Sequence, residues 1–291
     1  MEIIRASVMG FCMGVRRAVE MAEKVSENHK NSKVPMFTLG PLIHNPAVME
    51  MLEKKGIKVL EPENFDCMEK GSPVIIRAHG ADPNLVLDLE KKGSVIIDAT
   101  CPRVKGSQNL VQTWSKKGYS VIIAGDKNHG EVTGINGYFS KDSGGKFFVV
   151  QSVDEAEKLC IPQKSVLLAQ TTFSLKNFED IKKVLSEKNP DLKIFDTICT
   201  ATMERQRSLM ALEKQTEGIL VIGGKNSANT RRLFESAEKL FPKSALIENP
   251  DEIPESFFAL KKVAITAGAS TPDWIIDLIV GRLEKNAVSR D

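Results

Sequence analysis

Three cysteines, Cys12, Cys101 and Cys199, each close an apolar strand-like segment and open a helix-like one: SVMGFCMGVRRAVEMAEKV, SVIIDATCPRVKGSQNLVQTW and KIFDTICTATMERQRSLMALEKQ. A thiol at a helix N-terminus is pushed toward the thiolate, the form that binds metals. Proline directly after Cys101 fits a first helical turn. Three thiolates brought together repel one another unless a cation lies among them, so the set implies a metal centre. Three sulfurs with an open fourth position suit zinc, or a 4Fe-4S cubane whose fourth iron has no protein ligand. Structural zinc sites usually draw ligand pairs from adjacent turns, whereas these segments lie roughly ninety residues apart. That spacing favours the cluster. Cys67, in FDCME, and Cys160, in EKLCIP, lack this context and read as inert thiols; with no CxxC pair, a zinc ribbon or thioredoxin-type motif finds no support.

A second set is polar. The stretch NHGEVTG, residues 128 to 134, puts His129, Gly130 and Glu131 just past YSVIIAG, which reads as a buried strand. Titratable groups at the end of such a strand sit where α/β folds place their chemistry. Comparable places hold His44 in GPLIHNP, His79 in RAHG, Thr171 and Thr172 in AQTT, Ser227 and Asn229 in GGKNSAN, and Ser270 in AGAST. Neutral or switchable donors beside glycine-rich turns suit a diphosphate better than they suit a catalytic triad. A Walker A loop is absent, since GDKNHG and GGKNSAN lack its lysine and hydroxyl pair. Taken singly, each of these residues is more often a turn former or helix cap. If the backbone at 129–131 is extended, His129 and Glu131 share a face, and Gly130 lets the segment approach closely.

These groups need elements to carry them, and the elements recur. After each cysteine and its helix comes a strand with a polar loop: VPMFTLGPLIHNP, YSVIIAGDKNHGEVTG and GILVIGGKNSANTRR. A second apolar strand with its own loop follows: SPVIIRAHGADP, SVLLAQTTFS and KVAITAGASTPDW. NLVLDLEKKG, FEDIKKVLSEKN and WIIDLIVGRLEK are the clearest helices after these. The chain therefore reads as three α/β units of similar plan, residues 1–99, 100–197 and 198–283, with a polar tail at 284–291. Packed around a pseudo-threefold axis, they would bring the cysteines together and turn both loops of each unit toward one cavity.

The balance of 40 basic against 38 acidic residues, with no long single-sign block, excludes a polyelectrolyte footprint for nucleic acid or an anionic membrane. The first 25 residues lack the apolar core of a signal peptide, and no run is long enough to span a bilayer. The expectation is a cytoplasmic protein with reduced thiols, acting on a small molecule.

GFCMGV, GPLIHNP, DATCPRV, HGEVTG, AQTT, DTICTAT, GGKNSANT and AGASTPDW, in this order over almost the whole chain, resemble the IspH or LytB family of 4-hydroxy-3-methylbut-2-enyl diphosphate reductases. The resemblance implies a trefoil of three α/β domains around an iron-sulfur cluster. It also implies removal of an allylic hydroxyl as water by two electrons and two protons, in the last step of the methylerythritol phosphate route to isoprenoids. Cys12, Cys101 and Cys199 would ligate one 4Fe-4S cluster and leave its fourth iron open. His44, His79, His129, Thr171, Ser227, Asn229 and Ser270 would hold the substrate, and Glu131, with a raised pKa beside a diphosphate, would supply a proton. A reduced ferredoxin or flavodoxin would be the electron donor. Two positions depart from the family pattern. Ala228 stands where a second serine is frequent and leaves only its backbone N–H for a diphosphate, while Met13 replaces a common alanine with a bulkier side chain. The competing reading is a zinc-stabilised binding protein for a phosphorylated ligand.

Overall fold

The computed structural model describes residues 1–288. Among them are the strands β1 (Glu2–Arg5), β2 (Met36–Leu39), β3 (Ile57–Leu60), β4 (Pro73–Ile76), β5 (Val95–Asp98), β6 (Ser120–Ala124), β7 (Phe147–Val150), β8 (Ser165–Ala169), β9 (Lys193–Ile194), β10 (Gly218–Ile222), β11 (Ser244–Ile247) and β12 (Lys262–Ala267). The helices are α1 (Met13–Asn28), α2 (Pro46–Lys54), α3 (Pro83–Lys91), α4 (Pro102–Lys116), α5 (Gly130–Asn136), α6 (Val153–Lys158), α7 (Leu175–Lys188), α8 (Thr200–Met210), α9 (Ala228–Leu240) and α10 (Asp273–Val288).

The strands form three parallel four-stranded sheets, ordered β3-β2-β4-β5, β7-β6-β8-β9 and β11-β10-β12-β1. Parallel pairing demands a crossover between neighbours, and the intervening helices supply it. Period-two alternation then sends strand residues to opposite faces. In the third sheet Leu220, Ile222 and Ile265 pack with Ile275, Ile276 and Ile279 of α10, whereas Ile219, Val221 and Ala264 pack with Leu209, Leu233 and Ala237 of α8 and α9. In the second sheet Val121, Ile123, Val166 and Leu168 pack with Val111 of α4 and with Val132 and Ile135 of α5. Each such fully buried aliphatic side chain contributes about 1.5–3 kcal/mol relative to exposure. This is the α/β class and the repeated plan expected from the sequence.

By contacts the chain divides into two compact units. One comprises Met1–Arg16, Ile43–Met51 and the chain from Thr200 on, and holds the third sheet; the other comprises Arg17–Leu42 and Leu52–Cys199, and holds the first two.

Three expectations change. The opening strand does not begin the first unit, because β1 pairs with β12, in register from Glu2 with Lys262 to Arg5 with Ile265, as the edge of the third sheet. It fills there the position that β5 and β9 fill in the other two, since each of these three strands leads into a cysteine. The stretch at 129–131 is extended only at His129: Gly130 and Glu131 open α5, and N–H groups freed at a helix start are met by a capping residue. Residues 284–288 of the expected tail continue α10, while 289–291 lie outside the described residues.

Candidate functional site

The first two sheets have the order second, first, third, fourth in the chain, and in the third β11, β10 and β12 repeat it with β1 in the last place, so the direction in which the chain progresses across each sheet reverses between β2 and β4, β6 and β8, or β10 and β12. Ligands of open α/β sheets bind beyond the carboxyl ends of strands at such reversals. Every polar candidate follows one of these six strands. His44 comes after β2, His79 after β4, His129 and Glu131 after β6, Thr171 and Thr172 after β8, Ser227 and Asn229 after β10, and Ser270 after β12.

The three cysteines repeat one local construction. The Cys12 amide donates to the Ala269 carbonyl at 3.1 Å, that of Cys101 to Ala78 at 2.9 Å, and that of Cys199 to Thr171 at 2.8 Å. In each case the acceptor lies just past the third strand of a sheet, and a helix starts at the residue after the cysteine. All three thiols are half-buried, whereas Cys67 and Cys160 are exposed. The Cys12 sulfur accepts from the Val15 N–H at 3.5 Å. A thiol at a helix start is a donor suited to a metal.

The approaches to the cysteines differ. Three residues before Cys101, Asp98 accepts the Thr100 N–H at 2.9 Å and pairs with Lys105 at 2.6 Å. Burial pushes the Asp98 carboxyl up, but the hydrogen bonds from Lys105 and Thr100 outweigh it and hold the group below the usual carboxylate value. Three residues before Cys199, Asp196 accepts the Ile198 N–H at 3.1 Å, and Thr197 both donates to and accepts from the backbone of Ala169. Before Cys12 that position is Met9. There Gly10 adopts φ +76, and a Cβ on it would lie 2.9 Å from the Asp273 Oδ1. The turn is held from outside: Arg205 donates to the Gly10 carbonyl, and Ser208 accepts the Val8 N–H at 3.1 Å and bonds the Ser7 hydroxyl at 2.9 Å.

His129 caps α5, its Nδ1 accepting the Glu131 N–H at 3.1 Å. Its ring meets that of His79 edge to face, with centroids 5.3 Å apart. Glu131 is fully buried, and its two carboxylate oxygens accept from the Thr171 N–H at 2.6 Å and the Thr171 hydroxyl at 2.7 Å. One carboxyl is thereby fixed between α5 and the end of β8.

Ser227 caps α9, accepting the Thr230 N–H at 3.3 Å. Asn229, in the first turn, is buried, and its Nδ2 has no hydrogen-bond partner among the described residues. A buried donor of this kind at the start of a thirteen-residue helix is chemically suited to an anion. Ala228 is the first residue of that turn, and its side chain is buried. The preceding turn runs through Gly224, where any Cβ would strike the His44 carbonyl, so glycine is required. Ser270 also reaches that carbonyl, at 3.4 Å. Met13 is 60% exposed, so its bulk goes to solvent.

Sequence reasoning missed two residues here. Gln170, fully buried, accepts from the Asp126 N–H at 2.8 Å and donates to the Thr172 hydroxyl at 2.9 Å, joining the loops after β6 and β8. Its place in AQTT was the available signal. Arg77 lies against Gly40 and Gly130 and lines a cavity of about 110 Å³ with Glu61, Asp82 and Thr133. Burial pushes its guanidinium below the ordinary range, and the charge of Glu61 opposes that shift.

The LytB protein family profile matches residues 3–284. The chain belongs to the LytB family. Among LytB relatives, a Treponema denticola protein described as 4-hydroxy-3-methylbut-2-enyl diphosphate reductase is 44% identical over 291 residues, covering 97% of this chain and 99% of its own. A Caldanaerobacter subterraneus protein of the same description is 44% identical over 287 residues, covering 98% and 97%. Among solved structures, one of (E)-4-hydroxy-3-methyl-but-2-enyl diphosphate reductase, described as the terminal enzyme of the non-mevalonate pathway, is 39% identical with a TM-score of 0.70, covering 98% of this chain and 100% of its own. The Plasmodium falciparum reductase structure gives 29% identity and a TM-score of 0.87, covering 96% and 87%.

Proposed function

We propose that this LytB protein reduces (E)-4-hydroxy-3-methylbut-2-enyl diphosphate to isopentenyl and dimethylallyl diphosphates in the cytoplasm, with a reduced ferredoxin or flavodoxin as donor. Two electrons and two protons enter, the allylic C–O bond breaks, and the hydroxyl leaves as water. The observation that carries this reading is the 44% identity, over 97–98% of the chain, to full-length relatives described as this reductase.

Cys12, Cys101 and Cys199 would hold a 4Fe-4S cluster, which would supply the electrons and Lewis acidity for loss of the hydroxyl. Ser227, Asn229 and Ser270 hold the diphosphate together with His44, His79 and His129. Support for the anion role comes from the orphaned Asn229 donor and from the Ser227 cap of α9. Glu131 delivers a proton to the departing hydroxyl, and Thr171 keeps its carboxyl in one orientation. The support here is geometric: two short hydrogen bonds on a fully buried carboxyl leave it little rotational freedom.

The test is anaerobic turnover of the hydroxylated diphosphate, with metal and acid-labile sulfide analysis of the purified protein. Colourless protein carrying zinc would overturn the reading. Glu131→Gln keeps size and hydrogen-bonding capacity but removes the transferable proton. It is expected to bind substrate and cluster while turning over at least ~100-fold more slowly, about 2.7 kcal/mol in the barrier. Near-native turnover with electrons in excess would remove Glu131 from this role.

A further inference from the structure

We propose that Arg205 and Ser208, on the buried polar face of α8, are positioning residues that set the Cys12 turn for cluster binding. The proposal rests on Cys12 being a cluster ligand. The inward residues of α8 include Thr202, Arg205 and Ser208, spaced three apart on one face. Arg205 is 3% exposed, and Ser208 is 5% exposed. Burying a guanidinium is costly unless its donors are used. Here one nitrogen donates to the Ala201 carbonyl at 2.8 Å and another to the Gly10 carbonyl, two residues before Cys12. Ser208 takes the Val8 N–H and the Ser7 hydroxyl. The face thus bonds residues 7, 8 and 10 of the segment that delivers Cys12. That segment lacks the aspartate found three residues before each of the other two cysteines, and its glycine could wander without such ties. Arg205 and Ser208 therefore supply from a neighbouring helix what Asp98 and Asp196 supply from within their own turns.

The experiment uses anaerobically assembled holoprotein and follows the rate of cluster loss to a ferrous chelator, together with the electron paramagnetic resonance signal of the reduced cluster. Thermal unfolding of each apoprotein runs alongside. Arg205→Met is expected to lose its cluster about tenfold faster, the order of one charge-assisted hydrogen bond. Ser208→Ala should lose it a few-fold faster, about what a neutral bond contributes. Arg205→Lys should recover part of the difference, and Arg207→Met, exposed on the same helix, should match wild type. Wild-type loss rates and signals in Arg205→Met and Ser208→Ala would overturn the proposal. So would loss rates that merely track apoprotein stability across all variants, Arg207→Met included. If Arg205→Met does not fold, Ser208→Ala decides alone. Cys12→Ser separates this from the parent reading: full iron and sulfide in that variant removes Cys12 as a ligand, whereas its loss beside unchanged Arg205 and Ser208 variants removes only the positioning role.

Discussion

Before Cys101 and Cys199 the chain carries its own acid, Asp98 and Asp196, and each caps an amide one residue short of the cysteine. Before Cys12 it carries Met9 and a glycine at positive φ, and the ties come from α8. The position two residues before the cysteine records the same split: Ala99 and Thr197 bear side chains, whereas Gly10 sits at φ +76, where a side chain is strained and its Cβ would meet the Asp273 carboxylate. A turn stabilised from within survives changes around it; a turn stabilised by a neighbour depends on that neighbour. One sulfur of three is therefore held by parts of the chain distant in sequence.

The largest effects are expected from the sulfurs themselves. Serine at Cys12, Cys101 or Cys199 should abolish cluster binding, while serine at the exposed Cys67 or Cys160 should leave iron and sulfide content unchanged. Cluster loss in either of the last two, with retention in one of the first three, would break the comparison at its root. Next is Gly10→Ala, which meets both left-handed strain and Asp273. It should cost about 1–2 kcal/mol from the strain alone, read by denaturant unfolding, and speed cluster loss. Ala99→Gly should cost less than that and leave the cluster in place; equal effects at both positions would erase the distinction. Asp98→Ala and Asp196→Ala should each cost about 1 kcal/mol, the order of one lost hydrogen bond at a half-exposed site. The smallest effect is in pH. Because the folded Asp98 carboxyl lies below its ordinary 3.8, its contribution is present above that value and fades as pH falls through the folded one. The gap in apoprotein stability between wild type and Asp98→Ala should narrow below about pH 4. A gap that widened on acidification would contradict the assigned hydrogen bonds.

Much of this was legible from residue types. The strands that a sequence announces are those buried on both faces, such as β6, β8 and β10, because continuous β-branched runs have no other soluble use. The outer strands β3, β7 and β11 went unread, since IKVL, FFVV and SALI are short and only partly buried. Pairing of β1 with β12 could not be read at all, for nothing local to Glu2–Arg5 names a partner near Lys262. At the site, the candidate polar residues were visible because they follow announced strands. The helical start at Gly130 was hidden by glycine, a weak helix former whose presence suggested a loop. Arg205 and Ser208 escaped because an arginine in a helix reads as solvated until tertiary structure buries it.

The place of β1 in the third sheet has a consequence for the order of events during synthesis. β1 is an edge strand that leaves the ribosome long before its partner β12 is made. Until then the backbone that leads to Cys12 has neither its strand neighbour nor the Ala269 carbonyl, while Asp98 and Ala78 can already organise the turn at Cys101. Pairing across so much chain is slow, because loop closure must precede the reward. Metal loading should thus be a late event, and a nascent chain stalled before residue 262 should leave Cys12 open to thiol-alkylating reagents long after Cys101 has settled.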